Sequence, residues 1–276
     1  MLKNKQQDEI LDKEGYAVIP FLSPDEVVEL KSFFYDAHSS VPEGMYATSH
    51  STDFGFRQKM NEQIKAVCQR AMQDVFEGAV ALGGTFMTKS KGEKGSLKPH
   101  QDWSIVDEEN FRSYNVWIPL VDVDEGNGTI QVLPRSHRFI KNIRGLNISD
   151  SFQKVNDELW KYLKPLKMKA GEALVYDHQL MHASGVNTTD IPRLVIVYGV
   201  IPEQASMRFY YGNNNNIEIY SCTPEFFFTE NIAAGPGKLP RLQTVPDNNP
   251  VITSEKLEEL IGVKRGVWGK ISALFS

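Results

Sequence analysis

Apolar residues along the first third of the chain recur at helical spacing, and further on they shorten into strand-like runs cut by Gly and Pro. Asp8 to Leu22 begins helical and passes through Gly15 into Tyr16-Ala17-Val18-Ile19-Pro20-Phe21, whose β-branched and aromatic content suits a strand. Ser23-Pro24-Asp25-Glu26 has the capping-box spacing of a helix start, and Val27, Leu30, Phe33 and Phe34 then supply one buried face. From Ser39 to Phe56 the chain is polar and aromatic without a period, which reads as a loop, either a cover over a site or an ordinary surface excursion. Ile64, Val67, Cys68, Ala71, Met72 and Val75 restore the helical period over Asn61 to Phe76.

After Gly83-Gly84 the pattern changes class. Strand-like runs at Thr85 to Lys89, Asn115 to Val121, Thr129 to Leu133, Glu172 to Tyr176 and Leu194 to Ile201 alternate with turns such as Asp124-Glu125-Gly126-Asn127-Gly128. Short strands of this kind, with helices mostly N-terminal, predict a mainly β jelly roll or cupin-like barrel rather than βαβ units. Residues 139–165 read as an insertion, helical near Asp157 to Leu163, and 208–249 as a second long irregular segment rich in Phe and Tyr. That second segment reads as a lid or a subunit interface, with Asn213 to Asn216 as a flexible hinge if it is a lid. Helix returns at Ser254 to Ile261, with Ser254 as its cap, and the basic stretch Lys264 to Ile271 is expected to pack against the body rather than on a membrane.

Composition narrows the function classes. At 276 residues with 41% hydrophobic residues, the chain suits one domain over 1–276 with a sizeable core. A net charge of -5 argues against nucleic acid as partner, since phosphate binding needs a surplus of Lys and Arg. Two cysteines, Cys68 and Cys222, are too few for a disulfide framework. With no apolar leader and no membrane-length run, the expectation is a cytoplasmic protein.

The candidate chemistry lies in Lys98-Pro99-His100-Gln101-Asp102-Trp103. His100 and Asp102 are two apart, so they share one face of an extended strand, and a distant His182 would complete the two-histidine, one-carboxylate set that holds non-haem Fe(II). His178, four residues before His182, would suit a helical zinc pair, but no Glu follows it in the required place. His137 closes a turn and is expected to make structural hydrogen bonds, while His38 and His50 have no ligand-like context.

The order of motifs adds to this. His100-Gln101-Asp102 is followed by Asn115-Val116-Trp117-Ile118-Pro119-Leu120, by Asn127-Gly128-Thr129-Ile130 running to Pro134-Arg135-Ser136-His137, by His182-Ala183-Ser184-Gly185 and by Arg193. From about Glu14 to Pro202 the chain resembles the phytanoyl-CoA dioxygenase-like family of Fe(II)- and 2-oxoglutarate-dependent oxygenases, departing at Arg135, where that family usually carries glycine. The resemblance implies a double-stranded β-helix with Fe(II) held by His100, Asp102 and His182 as the catalytic centre. It also implies 2-oxoglutarate and O2 as cosubstrates, with Arg193 and Ser184 on the distal carboxylate and Trp117 lining the pocket. Lys89 is a further candidate for that carboxylate, against a solvated role in its Gly-rich surroundings.

The implied activity is hydroxylation of a C–H bond of a small organic molecule with release of succinate and CO2. A desaturase or epimerase stays open; a halogenase is disfavoured because Asp102 fills the position chloride would need. A non-catalytic cupin-like binding module is the alternative outside enzymes. Oligomeric state is not legible.

Overall fold

A computed structural model describes residues 1–38 and 40–262. In chain order the elements are α1 (Lys5–Glu14), β1 (Tyr16–Pro20), α2 (Pro24–Asp36), β2 (Met45–Ala47), α3 (Phe54–Val75), β3 (Ala79–Lys89), β4 (Leu97–His100), β5 (Tyr114–Pro119) and β6 (Ile130–Val132). They continue with α4 (Asn156–Leu159), β7 (Lys164–Pro165), β8 (Glu172–Asp177), β9 (His182–Ser184), β10 (Arg193–Pro202), β11 (Arg208–Asn213), β12 (Asn216–Ser221), α5 (Pro224–Thr229), β13 (Arg241–Pro246) and α6 (Ser254–Ile261). No helix among the described residues is long and apolar enough to cross a membrane.

The strands form a six-stranded sheet in the order β1-β8-β5-β10-β3-β2, a four-stranded sheet β4-β9-β6-β7 and a three-stranded sheet β11-β12-β13, every named pairing antiparallel. Alternation along the six-stranded sheet decides what faces where. Val116, Ile118, Ala173, Val175, Leu194 and Ile196 point outward into a core with Leu30, Phe34, Met60, Ile64, Cys68 and Met72 of α2 and α3. Their neighbours Trp117, Leu174, Tyr176 and Val195 point the other way, against Ile130 and Val132 of the smaller sheet. Both faces are therefore covered, which is why these strands read as nearly unbroken apolar runs. This is the two-sheet jelly roll with helices packed on its outer face.

Several local expectations need correction. Residues 39–56 are not one loop: Met45–Ala47 pair with β3 at the sheet edge, and α3 begins at Phe54, capped by Asp53, rather than at Asn61. Three residues of strand are too few to show an alternation, and Gly55 beside the cap breaks the helical period. The segment 139–165 is mostly irregular, its helix confined to Asn156–Leu159. The segment 208–249 is not irregular, since it holds β11, β12, α5 and β13. Asn213 to Asn216 is no hinge: Asn214 (φ 47°) and Asn215 (φ 63°) form the two-residue turn of the β11-β12 hairpin, left-handed at both positions as a tight antiparallel connection requires. The cap of α6 is Thr253, one residue before Ser254. The basic stretch from Lys264 to Ile271 lies outside the described residues.

Candidate active site

The two histidines are cross-strand partners. β4 and β9 pair with His100 opposite His182, their ring centroids 4.2 Å apart. Asp102 lies two residues beyond the end of β4, its backbone N–H donating to the His178 carbonyl at 2.9 Å. Its Oδ1 sits 3.9 Å from His100 Nε2 and 3.8 Å from His182 Nε2, and the ligand atoms of the three residues all lie within 4.8 Å of one another.

The tautomers suit a metal. His100 Nδ1 lies 2.7 Å from the Lys98 carbonyl and His182 Nδ1 lies 3.0 Å from the Leu180 carbonyl; a proton on each Nδ1 leaves both Nε2 lone pairs directed at the shared space. Asp102 Oδ2 accepts from Asn115 Nδ2 at 2.8 Å, leaving Oδ1 as its outward donor atom. Burial would raise the Asp102 carboxyl, but His182, His178, His100 and the Asn115 hydrogen bond together hold it at about 2. Burial, with the neighbouring His100, pushes His182 down to about 4. For Asp102 and His182 these shifts favour the carboxylate and the neutral imidazole, the forms that bind a metal.

Beyond this cluster the pocket is lined by Arg193. Arg193 and Lys89 stand directly opposite each other on β10 and β3, and both are buried. Lys89 ends β3 as the strand-like run Thr85 to Lys89 predicts, but it is buried rather than solvated: its Nζ donates to the Ser184 carbonyl at 3.2 Å, to Ser184 Oγ and to the Gly185 carbonyl. Arg193 Nη1 donates to the Gly128 carbonyl at 2.6 Å, its guanidinium lies 5.4 Å from the Trp117 ring centroid, and its Nε, though buried, has no partner.

Gly128 is left-handed (φ 70°), and a side chain there would collide with the Gly185 carbonyl, so only glycine lets this turn close over Lys89. Burial lowers Arg193 to about 9; burial, then the Arg193 charge, lowers Lys89 to about 6. Among the described residues no acidic side chain pairs with either cation. A buried guanidinium lacking a counter-charge and with an orphaned N–H, beside an amine that a bound anion would protonate, fits an incoming carboxylate.

The fold thus brings His100, Asp102, His182, Ser184, Arg193 and Trp117 onto one cavity of about 100 Å³, with Lys89 behind Ser184. Sequence reasoning gave no role to Asn115, which shares the inward phase of Trp117 two residues on, nor to Tyr176, which stands opposite Asn115 across β5 and β8. Period-two alternation could have found both. Met45, placed in a loop by its sequence, brings its sulfur to 3.9 Å from Arg193. Of the remaining histidines, His178 bonds Ser113 Oγ at 3.0 Å and His137 bonds the Asp12 carbonyl at 3.0 Å; neither lines the cavity. Arg135 keeps the left-handed conformation (φ 68°) that a glycine would hold more cheaply.

Known proteins agree with this geometry. The family model described as phytanoyl-CoA dioxygenase matches residues 11–195. A phytanoyl-CoA dioxygenase domain-containing protein 1 of Danio rerio is 26% identical over 133 residues, 45% of this chain and 46% of that protein, so the match spans under half of the relative's length. Among solved structures, the epimerase SnoN in complex with Fe3+, alpha ketoglutarate and nogalamycin RO is similar at TM-score 0.53 and 18% identity, covering 91% of this chain and 96% of that one. The non-heme alpha ketoglutarate dependent carbocyclase SnoK is similar at TM-score 0.54 and 16% identity, covering 74% and 86%. Fold likeness at such identities speaks to architecture, while the family match spans the triad residues and Arg193: this chain belongs to the phytanoyl-CoA dioxygenase family of Fe(II)- and 2-oxoglutarate-dependent oxygenases.

Proposed function

We propose that this chain hydroxylates a C–H bond of a small organic molecule, as a one-domain enzyme over 1–276 that uses Fe(II), 2-oxoglutarate and O2. The observation that carries the reading is a single cavity lined by a His-Asp-His cluster and by a buried, uncompensated Arg193, with Lys89 behind Ser184. A bound dicarboxylate fits that layout, one end toward the metal ligands and the other on Arg193.

His100, Asp102 and His182 would hold the iron. Iron and 2-oxoglutarate supply oxidative decarboxylation: one oxygen atom of O2 goes into succinate, with loss of CO2, and the other into the substrate. The chain's own residues bind, orient and shield. Arg193 offers its free Nε–H to the distal carboxylate, a fork that lysine lacks, and Lys89 fixes Ser184 Oγ beside it. Trp117, Met45, Met87, Ile130 and Val197 line the cavity with apolar surface that keeps water from the cosubstrate. The substrate approaches from the His100 side, where that side chain is 36% exposed against 7% for His182.

The test is release of succinate from 2-oxoglutarate with Fe(II) and ascorbate over a panel of metabolites, with mass analysis of the product. Hydroxylation adds one oxygen atom to the substrate. No metal-dependent consumption of 2-oxoglutarate with any substrate would favour a binding protein, and a product without added oxygen would move the chain to an epimerase- or cyclase-type outcome.

A further inference from the structure

Asp102 belongs to no strand. Residues 101–106 carry no regular secondary structure, so the position of this ligand, unlike those of His100 and His182, is not set by a ladder of backbone bonds. One backbone bond, from its N–H to the His178 carbonyl, and the Asn115 amide on its Oδ2 hold part of it; the rest comes from elsewhere. Arg144, in the segment between β6 and α4, donates from Nε to the Asp102 carbonyl at 2.6 Å. Its other nitrogens grip Glu108 in a fork, Nη1 to Oε2 at 2.9 Å and Nη2 to Oε1 at 2.6 Å, while Nη1 also donates to the Asn142 carbonyl at 2.9 Å.

The clamp closes on both sides of the ligand. Ser104 N–H donates to the Arg144 carbonyl at 3.1 Å, Arg144 N–H donates to Ser104 Oγ at 3.2 Å, and Ser104 Oγ donates to Glu108 at 3.0 Å. Upstream, Asn142 Nδ2 donates to Gln101 Oε1 at 3.0 Å. Arg144 and Glu108 are largely buried, with side-chain exposures of 8% and 14%. A buried ion pair is seldom worth more to stability than apolar side chains of the same size; what this one supplies is a fixed direction for the carbonyl of the ligand residue.

We propose that Arg144, held by Glu108, is the positioning residue for the Asp102 metal ligand. The proposal rests on the reading of His100, Asp102 and His182 as a metal site. Groups that orient a ligand from behind change metal affinity by about 10- to 100-fold when removed.

Anaerobic Co(II) titration of the full chain, followed by the visible ligand-field bands, tests it without turnover. Arg144→Lys retains the charge and loses the fork. It should bind Co(II) about 10- to 100-fold more weakly than the parent, with altered bands, while the metal-free protein keeps its circular dichroism. Arg144→Ala should regain parent-like bands when ethylguanidinium is added, a rescue that a general packing defect does not give. If Arg144→Lys fails to fold, Glu108→Gln, which keeps the shape and frees the guanidinium, gives the same readout with a smaller loss. Parent-like affinity and bands in the folded variants would overturn the positioning role, whereas a parent chain that binds no Co(II) would overturn the metal site itself.

Discussion

Arg193 lines the cavity and Lys89, its cross-strand partner, stands behind Ser184; each makes its own prediction. Arg193→Lys removes the free Nε–H and the planar fork, a charge-assisted contact worth about 1.5–3 kcal/mol, so the apparent 2-oxoglutarate constant should rise roughly 10- to 150-fold with little change in fold. An unchanged constant would move the anchor to Lys89. For Lys89, burial and then the Arg193 charge set the pKa near about 6, so in the free protein the neutral amine dominates above that pH. A carboxylate bound alongside favours the ammonium and raises that pKa, so binding takes up a proton above about pH 6, and affinity falls as pH climbs from there toward the ordinary lysine value of 10.5. Calorimetry in buffers of different ionisation enthalpy reads the uptake directly. It should vanish in Lys89→Met, and no uptake in the parent would mean that the three oxygens around Nζ already keep the ammonium charged. Arg135→Gly relaxes a left-handed residue whose only side-chain ion pair among the described residues, to Glu14 at 3.7 Å, is partly exposed. The gain of about 1–2 kcal/mol in the folded chain is offset by glycine's greater freedom in the unfolded one, leaving a net stabilisation of roughly 0.5–1 kcal/mol in a urea melt.

At the scale of elements, the sheet β11-β12-β13 is tied to the ligand-bearing stretch rather than hung over it. Arg208 N–H donates to the Ile105 carbonyl at 2.8 Å, Tyr210 Oη donates to the Val106 carbonyl at 2.7 Å, and Phe209 packs edge-on against Trp103. Phe226 of α5 joins the same apolar cluster with Leu82 and Ile201. Fixed in this way the sheet should behave as part of the body, with amide exchange in β11 and β12 slow before any ligand is added and unchanged when 2-oxoglutarate and metal bind anaerobically. Slowing on binding would restore a closing lid; dependence on protein concentration would make it a subunit interface. Why this unit was not legible is physical. β11 and β12 bury adjacent residues on both faces (Phe209 and Tyr210, Ile219 and Tyr220) and pair through an Asn-Asn turn in place of the Asn-Gly signal, and β13 is exposed along nearly its whole length, so hydrophobic alternation is weak. The capping box at Ser23 and Glu26, by contrast, is chemistry written in adjacent residues, and it forms as its spacing predicts.

Across the molecule, two sheets face each other, helices seal the outer face of the larger one, and the cavity lies between the sheets with His100 and His182 on the smaller and Arg193 on the larger. That arrangement explains which parts of the site could be seen in advance. His100, Asp102, His182 and Arg193 carry side chains whose chemistry is rare in a β core, so they stand out from the apolar runs around them. Arg144 acts through contacts made only once distant segments meet, and no local pattern marks it, whereas Asn115 shares the inward phase of Trp117. The central claim, one cavity that takes a metal on this triad and 2-oxoglutarate beside it, is tested most directly by anaerobic addition of Fe(II) and 2-oxoglutarate to the parent, His182→Ala and His178→Ala chains, following the metal-to-ligand charge-transfer absorption of the chelate. The expected result is an absorption band in the parent and in His178→Ala, and none in His182→Ala; a band that survives in His182→Ala but disappears in His178→Ala, or no band in the parent, would contradict it.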